Sequence, residues 1–161
     1  MEFLAELHPQ IIHFPIAILI LYSVLEIVGI LSKNIFLQKT SFLLLAIGVV
    51  SAVGAVLTGN QAAEFAKLNS DLPIATLIND HETYATITLW YYFVILILRT
   101  YLILKKKFEG ILKFVFIPLV LIGSYLIYET GEHGGKLVYN YGIGTSINKD
   151  MNTFDNFENH D

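Results

Sequence analysis

Histidines are the residues of this sequence best suited to chemistry, and four of the five stand at the ends of apolar segments. His8 and His13 open the first apolar segment in the run LHPQIIHFP. His81 opens the third segment in NDHETY, and His133 follows the fourth in ETGEHGGKLVY. Imidazole binds metal ions and haem iron, and its charge changes near neutral pH. We therefore expect a metal or haem site where these four side chains meet.

Four apolar runs must position these side chains, and they cover residues 11–31, 40–57, 85–104 and 111–128. A helix that crosses a membrane needs about 20 mainly apolar residues. Hydrophobic residues make up 55% of the chain and charged residues 15%, whereas about a quarter of a soluble domain is charged. None of the runs has the polar face with a helical period that a soluble bundle needs. The sequence therefore predicts an all-α fold, a four-helix transmembrane up-down bundle, with all four histidines on one side.

The distribution of charge predicts the orientation of this bundle. Seven of the ten basic residues lie at or beside the loops that join segments one to two and three to four. Twelve of the fourteen acidic residues lie on the opposite side. Loops rich in Lys and Arg stay in the cytoplasm. We therefore expect both termini outside, an N-out and C-out topology, and the histidine cluster on the extracytoplasmic side.

The polar stretches between and after the runs divide the chain further. NQAAEFAKL is expected to form a short amphipathic helix on the rim, and Asp80 to be the N-cap of the third helix with His81 at its first position. After residue 128 we expect a glycine-rich loop. The transmembrane domain then covers residues 1–145, and residues 146–161 form a polar, acidic tail that is predicted to be disordered. His160 belongs to this tail and is excluded as a ligand.

Two features inside the apolar runs have both a structural and a functional interpretation. The second run carries small residues at Gly48, Ala52, Ala55 and Gly59. Such a stripe lets helices approach closely, and it would also make room for a flat macrocycle. Glu26 lies inside the first run, where a carboxylate is costly and is a functional candidate. It is expected either to hydrogen-bond at the cytoplasmic interface or to serve a proton path.

Several classes of chemistry are excluded by residues that the sequence lacks. The chain has no cysteine, which excludes thiolate ligands, iron–sulfur clusters and covalent haem attachment. It also has no nucleophile–base arrangement, no phosphate-binding glycine loop and no HExxH motif, because Ala85 ends the run HETYA. We expect neither a hydrolytic active site nor a nucleic-acid partner.

Two motifs resemble the bacterial membrane family catalogued as domain of unknown function 2231. They are HPxxxHFPIAxL, beginning at His8, and GGxLVYxxGxG, beginning at Gly134. The resemblance covers residues 5–145, and it departs at Thr145, where the family usually has Val. It implies four helices in a bacterial inner membrane and leaves the function unassigned. Relatives are fused to Rieske-type or c-type cytochrome modules, which implies an electron-transfer setting with a redox partner of that kind.

The histidines together with this setting predict a small b-type cytochrome or similar electron-transfer subunit. One or two haem b groups would be held non-covalently by histidines from different helices. The first predicted pair is His13 with His81. His8 and His133 are a second pair or lie beside the haem propionates, and Lys136 would neutralise a propionate.

Two other functions are left open by the sequence. The imidazoles, with Glu132, Glu82 or Asp80, would form a zinc or copper site at the rim. Alternatively the chain is an assembly subunit without a cofactor, with or without a second copy of itself. Ligand nitrogens that converge on one point would favour a metal ion, and nitrogens facing across a flat slot of about 4 Å, twice a metal–nitrogen bond, would favour haem. A solidly packed histidine region would favour the assembly subunit.

Overall fold

The computed structural model of the chain describes residues 2–68 and 70–143, with the side chains of residues 2–6 left undescribed. Five helices follow one another: α1 Glu2–Ile11, α2 His13–Leu31, α3 Ile35–Leu68, α4 Leu72–Leu104 and α5 Phe116–Tyr141, the last preceded by a short 3-10 turn, Leu112–Val115. Four stretches are long and apolar enough to cross a membrane: Leu7–Leu31, Ile35–Leu68, Leu72–Leu104 and Leu112–Tyr141. The described residues contain helices and no strand, so the predicted all-α transmembrane bundle is confirmed. The predicted tail, 146–161, lies outside these residues.

The helices pack in a closed ring, in which α2 contacts α3, α3 contacts α4, α4 contacts α5, and α5 returns to α2. Fully buried side chains such as Tyr22, Leu45 and Phe116 fill the centre. Large apolar side chains on the outside remain exposed, for example Val50 (72%) and Leu121 (58%). Because the backbone groups of each crossing are satisfied inside its own helix, such an outer surface is suited to lipid.

Two ends of the bundle differ in composition. The turn at residues 32–34 and the segment at 105–111 lie at one end, here called the lysine end, with Lys33 and Lys105, Lys106 and Lys107. The opposite end, here called the histidine end, is where α1 and the last turns of α3 and α5 meet the first turns of α4. This arrangement brings His8 of α1 close to His81 of α4.

The third crossing begins earlier than the apolar run indicates. Asp71 is extended (φ −67°, ψ 161°), and α4 begins directly after it with Pro73 in its first turn, where the missing N–H costs nothing. The prediction that Asp80 caps this helix and that His81 is its first residue was therefore wrong. The expected rim helix in NQAAEFAKL is also the unbroken continuation of α3. In both places the helix extends beyond the membrane-like run into polar sequence.

The predicted glycine-rich loop after residue 128 is helical. α5 continues to Tyr141 and ends at Gly142, whose φ of 65° makes a left-handed cap. Each glycine in a helix interior costs about 1 kcal/mol relative to alanine. Packing offsets this cost at Gly134, where the ring of His81 lies against the backbone of α5.

Candidate functional site

The candidate site lies at the histidine end, where His8 of α1 faces His81 of α4. The centroids of the two rings are 6.5 Å apart, and their planes meet at 69°. Both side chains are half-buried. Two helices that are far apart in sequence thus bring two imidazoles into edge-to-face contact.

Each of these two imidazole rings packs against a glycine of another helix. A Cβ atom added at Gly59 of α3 would lie 2.8 Å from Cε1 of His8, and one added at Gly134 of α5 would lie 3.0 Å from Cε1 of His81. The other glycine of the small-residue stripe, Gly48, faces Leu19, whose Cδ2 would be 2.5 Å from an added Cβ. The stripe is therefore used for close packing at Gly48 and Gly59, where side chains of the first crossing fill the space.

Hydrogen bonds fix the tautomers of the two rings in their neutral forms. Nδ1 of His81 lies 3.1 Å from the carbonyl oxygen of Thr130, which only accepts, so Nδ1 carries the hydrogen. Nδ1 of His8 lies 3.2 Å from the hydroxyl of Thr58. That hydroxyl is also 3.0 Å from the carbonyl oxygens of Gly54 and Ala55, which only accept, so all three contacts are satisfied when it accepts from Nδ1 of His8. In both rings Nε2 therefore keeps its lone pair.

His133 lies on the same end but serves a different contact. Its ring stacks on Tyr84 with centroids 4.7 Å apart and planes at 29°. Nδ1 donates to the carbonyl oxygen of Glu129 one turn earlier, at 2.8 Å. Its Nε2 is therefore also the lone-pair nitrogen. The carboxylate of Glu129 is 4.0 Å from Nδ1 and adds a negative charge beside the ring.

The remaining predicted residues stand apart from the His8–His81 pair. His13 is exposed, and the ring in contact with His81 is that of His8 rather than that of His13, which was the partner expected first. Lys136 pairs with Glu132 on the surface of α5, with Nζ 2.7 Å from Oε1. Among the described residues, no three metal-binding side chains are close enough to hold one ion.

Two of the three carboxylates expected as metal ligands are engaged elsewhere, and the third, Asp80, is exposed. Glu82 forms an ion pair with Lys67 that joins α3 to α4 at the histidine end. Glu132 is the partner of Lys136 on α5. Both carboxylates thus balance lysines that would otherwise add positive charge at this end.

A second polar site is buried at the lysine end; the sequence indicated Glu26 as a candidate but did not indicate its partner, Arg99. Glu26 and Arg99 form an ion pair in which the side chains are 0% and 1% exposed. The Ser41 hydroxyl donates to Oε2 of Glu26 at 2.6 Å, and the guanidinium donates to the carbonyl oxygen of Gln38 at 2.6 Å. The ring centroid of Phe108 lies 4.8 Å from Cζ of Arg99. Arg99 is one of the seven basic residues at or beside the two basic loops, although one acid and one base inside apolar runs are a signal for such a pair.

Four lipid-facing crossings, a sealed ion pair at one end and paired histidines at the other define a small multi-pass membrane protein. Residues 5–147 match the family described as predicted membrane protein, domain of unknown function 2231, and the chain belongs to this family. The resemblance in the HP and GG motifs is thereby confirmed. No curated protein and no solved structure matches the chain.

Proposed function

We propose that the protein is an electron-transfer subunit in which Nε2 of His8 and Nε2 of His81 bind one redox-active metal centre. The observation that carries this proposal is the hydrogen-bonding pattern that the two imidazole rings share. Each donates Nδ1–H to a protein oxygen and leaves Nε2 with a lone pair. Histidines that bind metals almost always have this arrangement, because the second hydrogen bond fixes the tautomer and orients the ring.

The spacing of the rings supports a single centre between them. A metal–nitrogen bond is about 2.0–2.1 Å long, and the nitrogen is roughly 1 Å from the ring centre, so two imidazoles on opposite sides of one metal have centroids about 6 Å apart. The observed separation is 6.5 Å. Both nitrogens would reach the same metal if the rings turn so that each Nε2 points to the space between them.

Haem b iron and a copper ion share this chemistry, and different observations favour each. Haem iron in an electron-transfer cytochrome takes two protein ligands, and the His8–His81 pair would supply two. A macrocycle also needs a flat slot, however, and the rings fill the spaces at Gly59 and Gly134 themselves. Haem b would require α1 to move away from α4, whereas a bare copper ion would require only that both Nε2 atoms turn toward one point. Zinc, which takes four ligands in structural sites, is disfavoured because Glu82 and Glu132 form ion pairs.

The placement of this centre in the cell follows from the charge of the two ends. The lysine end carries the basic turns, and such turns stay in the cytoplasm. The proposed location is therefore a bacterial inner membrane with the His8–His81 pair on the extracytoplasmic side. A c-type cytochrome or Rieske-type protein would meet the centre there.

The test uses the purified full-length chain in detergent. One sample is expressed with haem available and its absorption spectrum is recorded before and after dithionite. A second, metal-free sample is titrated with copper, and with zinc for comparison, and the bound metal is measured. We expect one redox-active centre per chain, lost in His8→Ala and in His81→Ala and kept in His13→Ala, the matched control on an exposed histidine.

Each arm of this experiment has a distinct meaning. Sharp reduced haem bands identify haem b, and stoichiometric copper binding without such bands identifies copper. If neither is bound, or if binding survives both His8→Ala and His81→Ala, the redox proposal is wrong. The close packing of the two rings on Gly59 and Gly134 would then be the whole role of the pair, as in a cofactor-free assembly subunit.

A further inference from the structure

One face of α4 carries polar side chains from one end of the bundle to the other. His81, Thr88, Tyr92 and Arg99 follow at intervals of seven, four and seven residues. At about 100° per residue these positions lie within roughly 20° of a single line, and they cover about 27 Å along the helix axis. The hydrocarbon core of a bilayer is about 30 Å thick. The stripe therefore spans nearly the whole membrane, and it faces inward, because Thr88, Tyr92 and Arg99 are buried.

The first part of this stripe is connected by hydrogen bonds. His81 donates to the carbonyl oxygen of Thr130, at 3.1 Å. The hydroxyl of Thr130 is 3.0 Å from the hydroxyl of Thr88. The Thr88 hydroxyl also donates to the carbonyl oxygen of Tyr84, at 2.7 Å. Two hydroxyls thus continue inward from the imidazole pair between α4 and α5.

The middle of the stripe is formed by two tyrosines from different helices. Tyr22 of α2 and Tyr92 of α4 are both 0% exposed, and their ring centroids are 6.1 Å apart. The hydroxyl of Tyr92 occupies the space at Gly123, where an added Cβ would be 2.6 Å from it. Both tyrosine hydroxyls are buried. The Tyr22 hydroxyl lies near the guanidinium of Arg99, and the Tyr92 hydroxyl lies near the hydroxyls of Ser23 and Ser124.

The part of the stripe nearest the lysine end is the Glu26–Arg99 pair, which keeps unpaired atoms. Oε1 of Glu26 and Nε of Arg99 are buried and lack a protein partner among the described residues. Tyr22 lies close enough to both charged groups to interact electrostatically with them. Two buried tyrosine hydroxyls and two unpaired polar atoms therefore follow one another between the middle of the bundle and the lysine end. Buried polar groups of this kind are normally satisfied by ordered water.

We propose that these residues hold a chain of internal water molecules, which forms a proton path between the Thr88 and Thr130 hydroxyls and the Glu26–Arg99 pair. A threonine or tyrosine hydroxyl or a water accepts one proton and donates another, and the carboxylate of Glu26 accepts and returns one, while Arg99 keeps its charge. Only O–H bonds form and break, and one positive charge moves across the bundle.

This path goes beyond the proposed redox function and requires no metal. It also differs from a purely structural role for the buried polar groups. A structural role predicts a change in stability when a hydroxyl is removed. A proton path predicts a change in proton flux under conditions where the fold is intact.

The test reconstitutes the metal-free, full-length protein in phosphatidylcholine vesicles that contain a pH-sensitive dye. A potassium gradient with valinomycin sets the membrane potential, and the rate of internal pH change reports proton flux. Vesicles with wild-type protein should change pH faster than protein-free vesicles. Tyr92→Phe should slow the flux by about tenfold or more, because a positioned proton-transfer group contributes roughly 10²–10⁴-fold and lipid leak sets a floor.

The matched control is Tyr91→Phe, which makes the same chemical change one residue away. The Tyr91 hydroxyl donates to the carbonyl oxygen of Leu119 at 2.8 Å and lies outside the proposed path, so this variant should conduct like wild type. Tyr22→Phe repeats the test from α2 if Tyr92→Phe does not fold. The proposal is overturned if wild type conducts no faster than protein-free vesicles. It is equally overturned if the path variant conducts as fast as the control. Neither result would bear on metal binding.

Discussion

The ion pair of Glu26 and Arg99 allows a quantitative test of what holds the bundle together. Removing one partner of a buried pair leaves the other charge without compensation and costs about 3–5 kcal/mol. In Glu26→Leu, the guanidinium of Arg99 keeps its hydrogen bond to the Gln38 carbonyl. It also keeps aromatic rings within 5.9 Å on three sides, and each such contact contributes about 0.5–2 kcal/mol. We therefore expect a loss near the lower limit, about 3 kcal/mol of unfolding free energy.

The double variant Glu26→Leu/Arg99→Met separates the cost of an unpaired charge from the net contribution of the pair. Hydrophobic replacement of a whole buried pair is often neutral or stabilising. The Ser41 hydroxyl remains satisfied, because it also donates to the Gln38 carbonyl at 2.9 Å. We expect the double variant to lie within about 1 kcal/mol of wild type, although its first substitution alone costs about 3 kcal/mol.

The assay is equilibrium unfolding in mixed micelles, followed by circular dichroism for the wild type, both single variants and the double variant. A double-mutant cycle then gives the coupling energy between the two positions. Glu132→Gln is the surface control, because it removes an exposed ion pair with Lys136 and should leave the unfolding transition unchanged. If the losses of the two single variants simply add in the double variant, the pair is not coupled and the reasoning is wrong.

Three further predictions concern the histidine end and the orientation. Gly59→Ala places a Cβ 2.8 Å from the facing imidazole and should weaken binding of the metal centre in the titration. Gly54→Ala, where an added Cβ has no atom within 4 Å, should leave metal binding intact and stabilise α3 by up to about 1 kcal/mol. Equal effects of the two glycine substitutions on metal binding would contradict the packing role of Gly59. Thr58→Val removes an acceptor that orients a ring and should lower metal affinity about 10–100-fold, so an unchanged affinity would rule out that role. In intact cells a membrane-impermeant maleimide should label Asp71→Cys and spare Lys106→Cys, and the reverse pattern would invert the proposed topology.

The crossings were predictable from sequence because hydropathy is a property of continuous segments. The ends of the helices were not. α3 continues to Leu68 and α5 to Tyr141 through polar and glycine-rich sequence, because packing between helices sustains turns that local composition does not favour. The start of α4 was signalled by Asp71 and Pro73, and the nearby Asp80 offered a competing cap that the fold does not use.

The site was only partly predictable for a different reason. Sequence placed four imidazoles at one end, but it did not show which helix faces meet there. His8 reaches His81 because Gly59 and Gly134 leave room for both rings, and these glycines belong to two other helices. The Glu26–Arg99 pair joins residues 73 positions apart, a relation that is a property of the assembled bundle.

The distance along the chain between Glu26 and Arg99 has a consequence for biogenesis. The first crossing leaves the ribosome with its carboxylate unpaired, and the guanidinium follows 73 residues later. At about 5–20 residues per second, the wait is roughly 4–15 s. Ser41, on the second crossing, arrives much earlier and supplies one hydrogen bond in the meantime. The first crossing therefore cannot settle into lipid by itself at low cost. Release of the nascent helices from the insertion machinery should be delayed until the third crossing arrives, so that the chain enters the bilayer as a nearly complete bundle.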